Sequence, residues 1–392
     1  MRFICLVIFI MYLYSCSGTK DKISSDTINS LQFVDSAVFE VGFFFMPTFS
    51  AEYFDLESQQ DLLFFADPKT HKQLKFFHRD GSLHTTVDLK NAVVSLPEPV
   101  LDIEVISLDS IVLFTSNGNL VAINRKGEVW KQFNIIQKLG LHLDEEKSYK
   151  ILSSVMHSRG MIDRKDIILY LSTSLKKKFE EHSDWIIANK ANKWNSEQFI
   201  RIIDLVSDTP NYQLGGKLLR AISPKDSNIM VIDIFNTYNV YDNLVYITHM
   251  FSDKLFIMDA NNMEIVKSKI IQSDYTTFGA PLYFSKNKIE NKEAYSKASK
   301  GIKEKGKLSG IFYNESKKHY YITGGFDKDT QYFGKWLLMI YDQEFNKLKE
   351  YIFDPKEWLG RIFPTENGFT LQKRITTQDI ADQKMVLYEF TY

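Results

Sequence analysis

Two cysteines supply the only thiols in the 392-residue chain. Cys5 lies within an apolar run, Phe3 to Tyr14, and Cys16 stands just after it, where the polar stretch SGTKDKISSDTINS begins. A disulfide or a metal centre would need a companion for Cys16, and none remains once Cys5 is removed with the apolar run. Acylation needs none. The tetrapeptide Leu13-Tyr14-Ser15-Cys16 resembles a bacterial lipobox, whose last residue takes a diacylglycerol and becomes the first residue of the mature protein. Tyr14 departs from that pattern, since a small residue is usual there. A rival cleavage would use Ser15 and Ser17 as the small pair, cut before Gly18 and discard Cys16. Arg2 followed by roughly 12 apolar residues fits a secretory signal, because a bilayer-spanning helix needs ~20. Residues 1–15 therefore read as a lipoprotein signal peptide and residues 16–30 as a flexible tether that buries nothing.

Other reactive residue types are scattered. There is no H-E-x-x-H, G-x-S-x-G, Walker or dinucleotide-binding glycine pattern, so no cofactor is implied. Asp327-Lys328-Asp329 offers oxygen ligands for calcium but lacks the further acceptors and the closing Glu of a loop cage. His78, His84, His142, His157, His182 and His249 occur singly, and a single His is usually a surface or core residue. Asp61, Asp109, Asp166 and Asn243 precede apolar runs. They read as the starts of inner strands that could bring acid and amide ligands around a central channel, and equally as ordinary turn residues.

Strands must position any such set. Aromatics make up 14% of the chain, with 30 Phe and 20 Tyr, and flat rings suit a pleated core; sugar-binding platforms are the sharper reading. A net charge of −1 removes the electrostatic footprint of a nucleic-acid binder. FFHRDGSL at 76–83 aligns without a gap to AINRKGEV at 122–129, so Arg79-Asp80-Gly81 matches Arg125-Lys126-Gly127. Each is a hairpin turn with Gly supplying positive φ, preceded by an apolar run and followed by an alternating strand. Looser copies run through 167–170 with 200–203, through 244–266, through 319–351, and through 369–371 with MVLYEFTY at the C-terminus. The spacing predicts an all-β fold: a single β-propeller of about six blades over residues 31–392. Residues 31–45 are expected to close the ring against the last blade. Two insertions interrupt the pattern: an amphipathic helical stretch at 174–194, and residues 286–307, where eight lysines face three glutamates.

With LYSC, the turn-bearing blades, NLVYITHMFSDKLFIMDANNMEIVKSK at 243–269 and GIFYNESKKHYYITGG at 310–325, the chain resembles Bacteroidetes lipoproteins built on a domain of unknown function with a six-bladed, propeller-like fold. The resemblance implies a fold and an address at the cell envelope, with the outer membrane as the site of anchorage. It implies no activity. The expected function is a non-catalytic binding or scaffolding propeller, held to the bilayer through acylated Cys16 and meeting an envelope protein, peptide or glycan. A metal-dependent lactonase or hydrolase is the alternative.

Overall fold

The computed structural model describes residues 31–392 apart from 43–48, 56, 68–71, 95, 97–99, 116–117, 140–146, 153–160, 163–165, 176–197, 205–206, 208–209, 216–235, 250–251, 279–304, 327–333 and 375. The signal, Cys16, the tether, most of both insertions, the 327–329 loop, His142, His157 and His182 lie outside the described residues. No helix among the described residues is long and apolar enough to cross a membrane.

Six antiparallel sheets form a six-bladed β-propeller. Blade 1 is β2 (Phe49–Asp55), β3 (Gln60–Asp67), β4 (Gln73–His78) and β5 (Leu83–Asp88). Blade 2 is β6 (Val100–Ser107), β7 (Ser110–Thr115), β8 (Asn119–Ile123) and β9 (Val129–Asn134). Blade 3 joins β10 (Lys147–Leu152) to β12 (Asp166–Leu175), β13 (Gln198–Ile203) and β14 (Asn211–Gly215), with β11 (Met161–Ile162) pairing on β12. Blade 4 is β15 (Asn236–Tyr241), β16 (Leu244–His249), β17 (Lys254–Asp259) and β18 (Glu264–Ile270). Blade 5 is β19 (Lys307–Asn314), β20 (His319–Phe326), β21 (Lys335–Tyr341) and β22 (Lys347–Phe353).

Blade 6 closes the ring. Its sheet runs β23 (Trp358–Pro364), β24 (Phe369–Lys373) and β25 (Met385–Thr391), and its outermost strand is β1 (Gln32–Phe39) from the other end of the chain. The pairing extends from Gln32 with Thr391 to Phe39 with Met385, so the expected closure through residues 31–45 is present as β1.

The sequence repeat omitted one strand per blade. The apolar runs at 61–65 and 111–114 are second strands, and another strand, β2 or β6, precedes each. First strands of neighbouring blades lie closest to one another and so surround the axis. Strands two and three carry most of the apolar load, with Leu62, Phe65, Leu74 and Phe76 in blade 1 fully buried. The core is therefore a set of inter-blade layers. Phe39, Phe65, Phe77 and Phe363 pack blade 6 on blade 1, with ring centroids 5.6–6.4 Å apart and steeply tilted. Burial of one such ring is worth about 1.5–3 kcal/mol.

The hairpins between third and fourth strands share one device. Gly81 and Gly127 have φ of 90° and 75°, and Gly81 N–H donates to the His78 carbonyl as Gly127 N–H does to that of Asn124. A register shift follows in both, giving a type I turn closed by a left-handed residue and a bulge. Blade 5 does the same with Phe345 at φ of 66°, and blade 4 closes a turn one residue longer with Met263 at φ of 59°, whose N–H donates to the Asp259 carbonyl. The turn residue leans on the preceding blade: a Cβ on Gly81 would lie 2.2 Å from the Val38 carbonyl oxygen, and one on Gly127 2.0 Å from that of Asp88.

Candidate functional site

A cavity of about 820 Å³ opens on the face of the ring that carries the turns between first and second strands. Its far wall is formed by the ends of β15 and β19, with Asn239, Tyr241, Phe312 and Tyr313. The turns after β19 and β23 add Glu315, Ser316, Glu366 and Asn367 at the rim. On the near side, Asp35, Glu389, Leu387 and Thr370 of blade 6 face Glu52, Phe54, Asp61 and Arg79 of blade 1. The site is thus the channel mouth together with the cleft between the blades that the closure joins.

Several of its polar groups are spent on the framework. Asn314 lies at the end of β19, and its amide donates to the Thr365 and Gly368 carbonyls at 2.8 and 2.9 Å and to the Tyr321 hydroxyl. It pins the blade 6 turn to blade 5. The Asn239 amide donates to the Ile311 carbonyl, tying blade 4 to blade 5. Tyr241 and Tyr313 meet at 5.6 Å and continue outward through Tyr320, which stacks on Phe345 at 4.6 Å. Burial, then the hydrogen bond that the Tyr320 hydroxyl donates to Tyr246, holds the Tyr320 phenol well above the usual tyrosine range, so it stays protonated.

Charge is unevenly placed. The whole chain carries −1, yet among the described residues the cavity is lined by seven carboxylates, from Asp35, Glu52, Asp61, Asp80, Glu315, Glu366 and Glu389, against the guanidinium of Arg79. Arg79 pairs with Glu52 at 2.7 Å, while its Nη1 is buried with no hydrogen-bond partner. Outside this lining, Gln372 of β24 is fully buried with both amide atoms unpaired. It shares a strand face with Thr370 and pairs across the ladder with Leu387, and both of those line the cavity.

The four residues proposed from sequence as inner-strand ligands begin second strands or occupy turns instead, and they do not converge. Asp109 takes both ends of Arg125, at 2.8 and 2.7 Å, and these bonds hold its carboxyl below the usual range. Asp166 is gripped by Arg201 at 2.6 and 3.0 Å and accepts the Asp204 N–H. Asn243 has φ of 59° in the β15–β16 turn, and its carbonyl accepts the Ala260 N–H. Only Asp61 reaches the cavity. Among the described residues no three His, Cys, Asp or Glu side chains are grouped to hold a metal ion. His78 and His84 are not isolated as their spacing suggested: their rings meet edge to face at 5.1 Å across the blade 1 outer hairpin. Sequence reasoning missed Gln372, Arg79 and Asn314, and for Gln372 the one available signal was a polar residue amid the apolar spacing of Phe369 and Leu371.

No family model matches the chain, and no curated protein matches it in sequence. Among solved structures, a DUF4221 family member from Bacteroides vulgatus is 15% identical, with a TM-score of 0.66 over 92% of this chain and 98% of that one. The two share a fold. A luciferin-regenerating enzyme at 10% identity superposes with a TM-score of 0.44 over 91% of this chain and 96% of its own. BamB from Moraxella catarrhalis, 13% identical, gives 0.38 over 92% and 98%.

Proposed function

We infer that the chain is a non-catalytic binding propeller of the bacterial cell envelope, anchored at the outer membrane through acyl chains on Cys16 and receiving a protein, peptide or glycan partner at the turn-face mouth. The observation that carries the binding role is the cavity itself. Its volume lies in the range of ligand sites, its walls combine aromatic faces with a few directed polar groups, and its hydrogen-bonded asparagines fix those walls before a ligand arrives. The anchorage rests on the lipobox-like tetrapeptide and the solitary cysteine.

Each part has its own test. A panel of labelled peptides and oligosaccharides should include ligands that bind the protein and lose binding at least tenfold in Ser316→Trp, which fills the rim from an exposed turn; a panel without a Ser316-sensitive ligand would remove the cavity from the account. For the anchor, Cys16→Ser should release the protein from membranes or leave its precursor uncleaved, because each buried acyl CH₂ contributes about 0.8 kcal/mol. An unmodified mature chain beginning at Gly18 would refute it.

A further inference from the structure

We propose that the outer part of blade 6 rests on the headgroup layer of the bilayer that holds the acyl chains on Cys16, with Phe33, Val38 and Tyr388 entering it and Lys349 and Lys373 meeting anionic headgroups. The proposal rests on the anchorage inferred above and orients the propeller against its membrane.

The first argument is where apolar side chains are left uncovered. β1 exposes Phe33, Val34 and Val38, each at 46–48%, whereas among the described residues the outer strands of the other five blades expose one or two large apolar side chains apiece. The patch is continuous. Residues paired across an antiparallel ladder point to one side, and Phe33 pairs with Phe390, Ser36 with Tyr388 and Val38 with Val386. Phe33 packs on Tyr388 at 5.8 Å and Tyr388 on Trp358 at 5.5 Å, so the exposed ring has an aromatic backing.

Charge is sorted between the two sides of the same strands. Asp35 and Glu389 pair with each other on the opposite side and line the cavity. On the apolar side, Lys373 Nζ lies 5.5 Å from the centre of the Tyr388 ring and Lys349 Nζ 5.9 Å from that of Tyr392. Tyrosine rings flanked by lysines suit a membrane–water boundary, where the ring sits at headgroup depth and the ammonium meets phosphate.

The sequence before β1 identifies what covers this side. Leu31 is buried with Trp336, Phe353 and Trp358 between blades 5 and 6, which fixes the point where the chain leaves the body beside Phe33. Residues 17–30 separate it from Cys16, a reach of at most about 50 Å. An anchor this near holds the patch at an effective concentration of about millimolar, so a contact too weak to bind a membrane alone is enough to seat the body. The register shift between Phe33 and Asp35 kinks the free edge of β1, which disfavours a partner strand and leaves side-chain contact as the available mode.

The test uses the acylated mature protein in vesicles of phosphatidylethanolamine and phosphatidylglycerol. With Cys5 lost and Cys16 acylated, an introduced cysteine is the only free thiol, so a polarity-sensitive dye can be placed at Val38→Cys or, across the ring in blade 3, at Leu214→Cys, both at exposed positions. On floated vesicles the dye at 38 should shift to the blue and be shielded from iodide several-fold more than the dye at 214. Phe33→Ser, a change at a half-exposed position, should remove most of that shielding with the thermal midpoint unchanged. Exchanging phosphatidylglycerol for phosphatidylcholine should lower the shielding, and equal shielding on the two lipids would overturn the part given to Lys349 and Lys373. Equal iodide access to both dyes on floating vesicles would overturn the proposal and leave the anchorage standing. Equal shielding of both would overturn it too, since the body would then have no preferred side. Shielding at 38 in native envelopes that is absent from pure lipid vesicles would assign the patch to a protein. Protein that fails to float would remove the anchorage, and the proposal with it.

Discussion

At the scale of single residues, titratable groups inside the blades matter more than those on the rim. Asp102 lies half-buried on β6, where its carboxylate accepts the Ile103 N–H, and burial pushes its pKa up to about 7. The folded state therefore keeps a proton that the unfolded chain releases above pH 4, and stability falls as pH rises from about 4 to about 7. Asp102→Asn should remove that slope. Its thermal midpoint should exceed the wild type at pH 8 and match it at pH 4, with a difference of at most a few kcal/mol at about 1.4 kcal/mol per pH unit. Arg201 gives a contrasting case: it joins Asp166 in blade 3 to the Ala260 carbonyl in blade 4 and is largely buried. Arg201→Met strands the Asp166 charge and should cost about 3 kcal/mol or more in denaturant unfolding, whereas the double change Asp166→Asn, Arg201→Met should recover much of it.

At the scale of the element, the turn-and-bulge hairpin sets how blades lean on each other. Gly127→Ala places a methyl against the Asp88 carbonyl and forces positive φ on a residue with a side chain, so a loss of about 1–3 kcal/mol is expected in the urea midpoint. Equivalent turns explain what the sequence could and could not reveal. Those of blades 1 and 2 are legible because glycine marks them, and second and third strands are legible because they are continuous apolar runs. Met263 and Phe345 do the same backbone work without glycine, so the repeat fades in blades 4 and 5. The inner strands were illegible for another reason. One edge of each borders the channel, and sequences such as NTYNVY and KLSGIFYN mix polar and apolar residues without a clean alternation. The site suffered most from this. Asp61 could be named as a turn acid, but that Arg79 pairs with Glu52 instead, and that Gln372 lies buried and unpaired in blade 6, depends on register across strands that the pattern does not encode.

At the scale of the whole molecule, the ring is held by the clasp of β1 on β25. Removing residues 385–392 takes away the strand that pairs both with β24 and with β1, and so leaves two edges exposed. The truncated protein should aggregate or unfold, as read by its thermal midpoint and by light scattering; an unchanged midpoint would make the terminus peripheral. A milder probe is Tyr392→Phe. Its hydroxyl meets His319 Nδ1 at 2.6 Å and the Tyr321 hydroxyl at 3.2 Å, joining the last residue to blade 5, and its loss should cost about 1 kcal/mol without opening the ring.

The clasp also sets a timetable. Gln32 is synthesised long before Thr391, yet they are partners. β1 must wait while the blades form in order, since no other sheet contains it, and ring closure is the contact of greatest sequence separation and the slowest to find. Until then the strand has no partner, and its Phe33, Val34 and Val38 stay about half-exposed even in the finished ring. Gln32, Asp35 and Ser36, interleaved among them, keep the waiting segment from pairing with another copy, so replacing Asp35 with Val should lower the yield of monomer recovered on refolding more than it changes the stability of the finished ring.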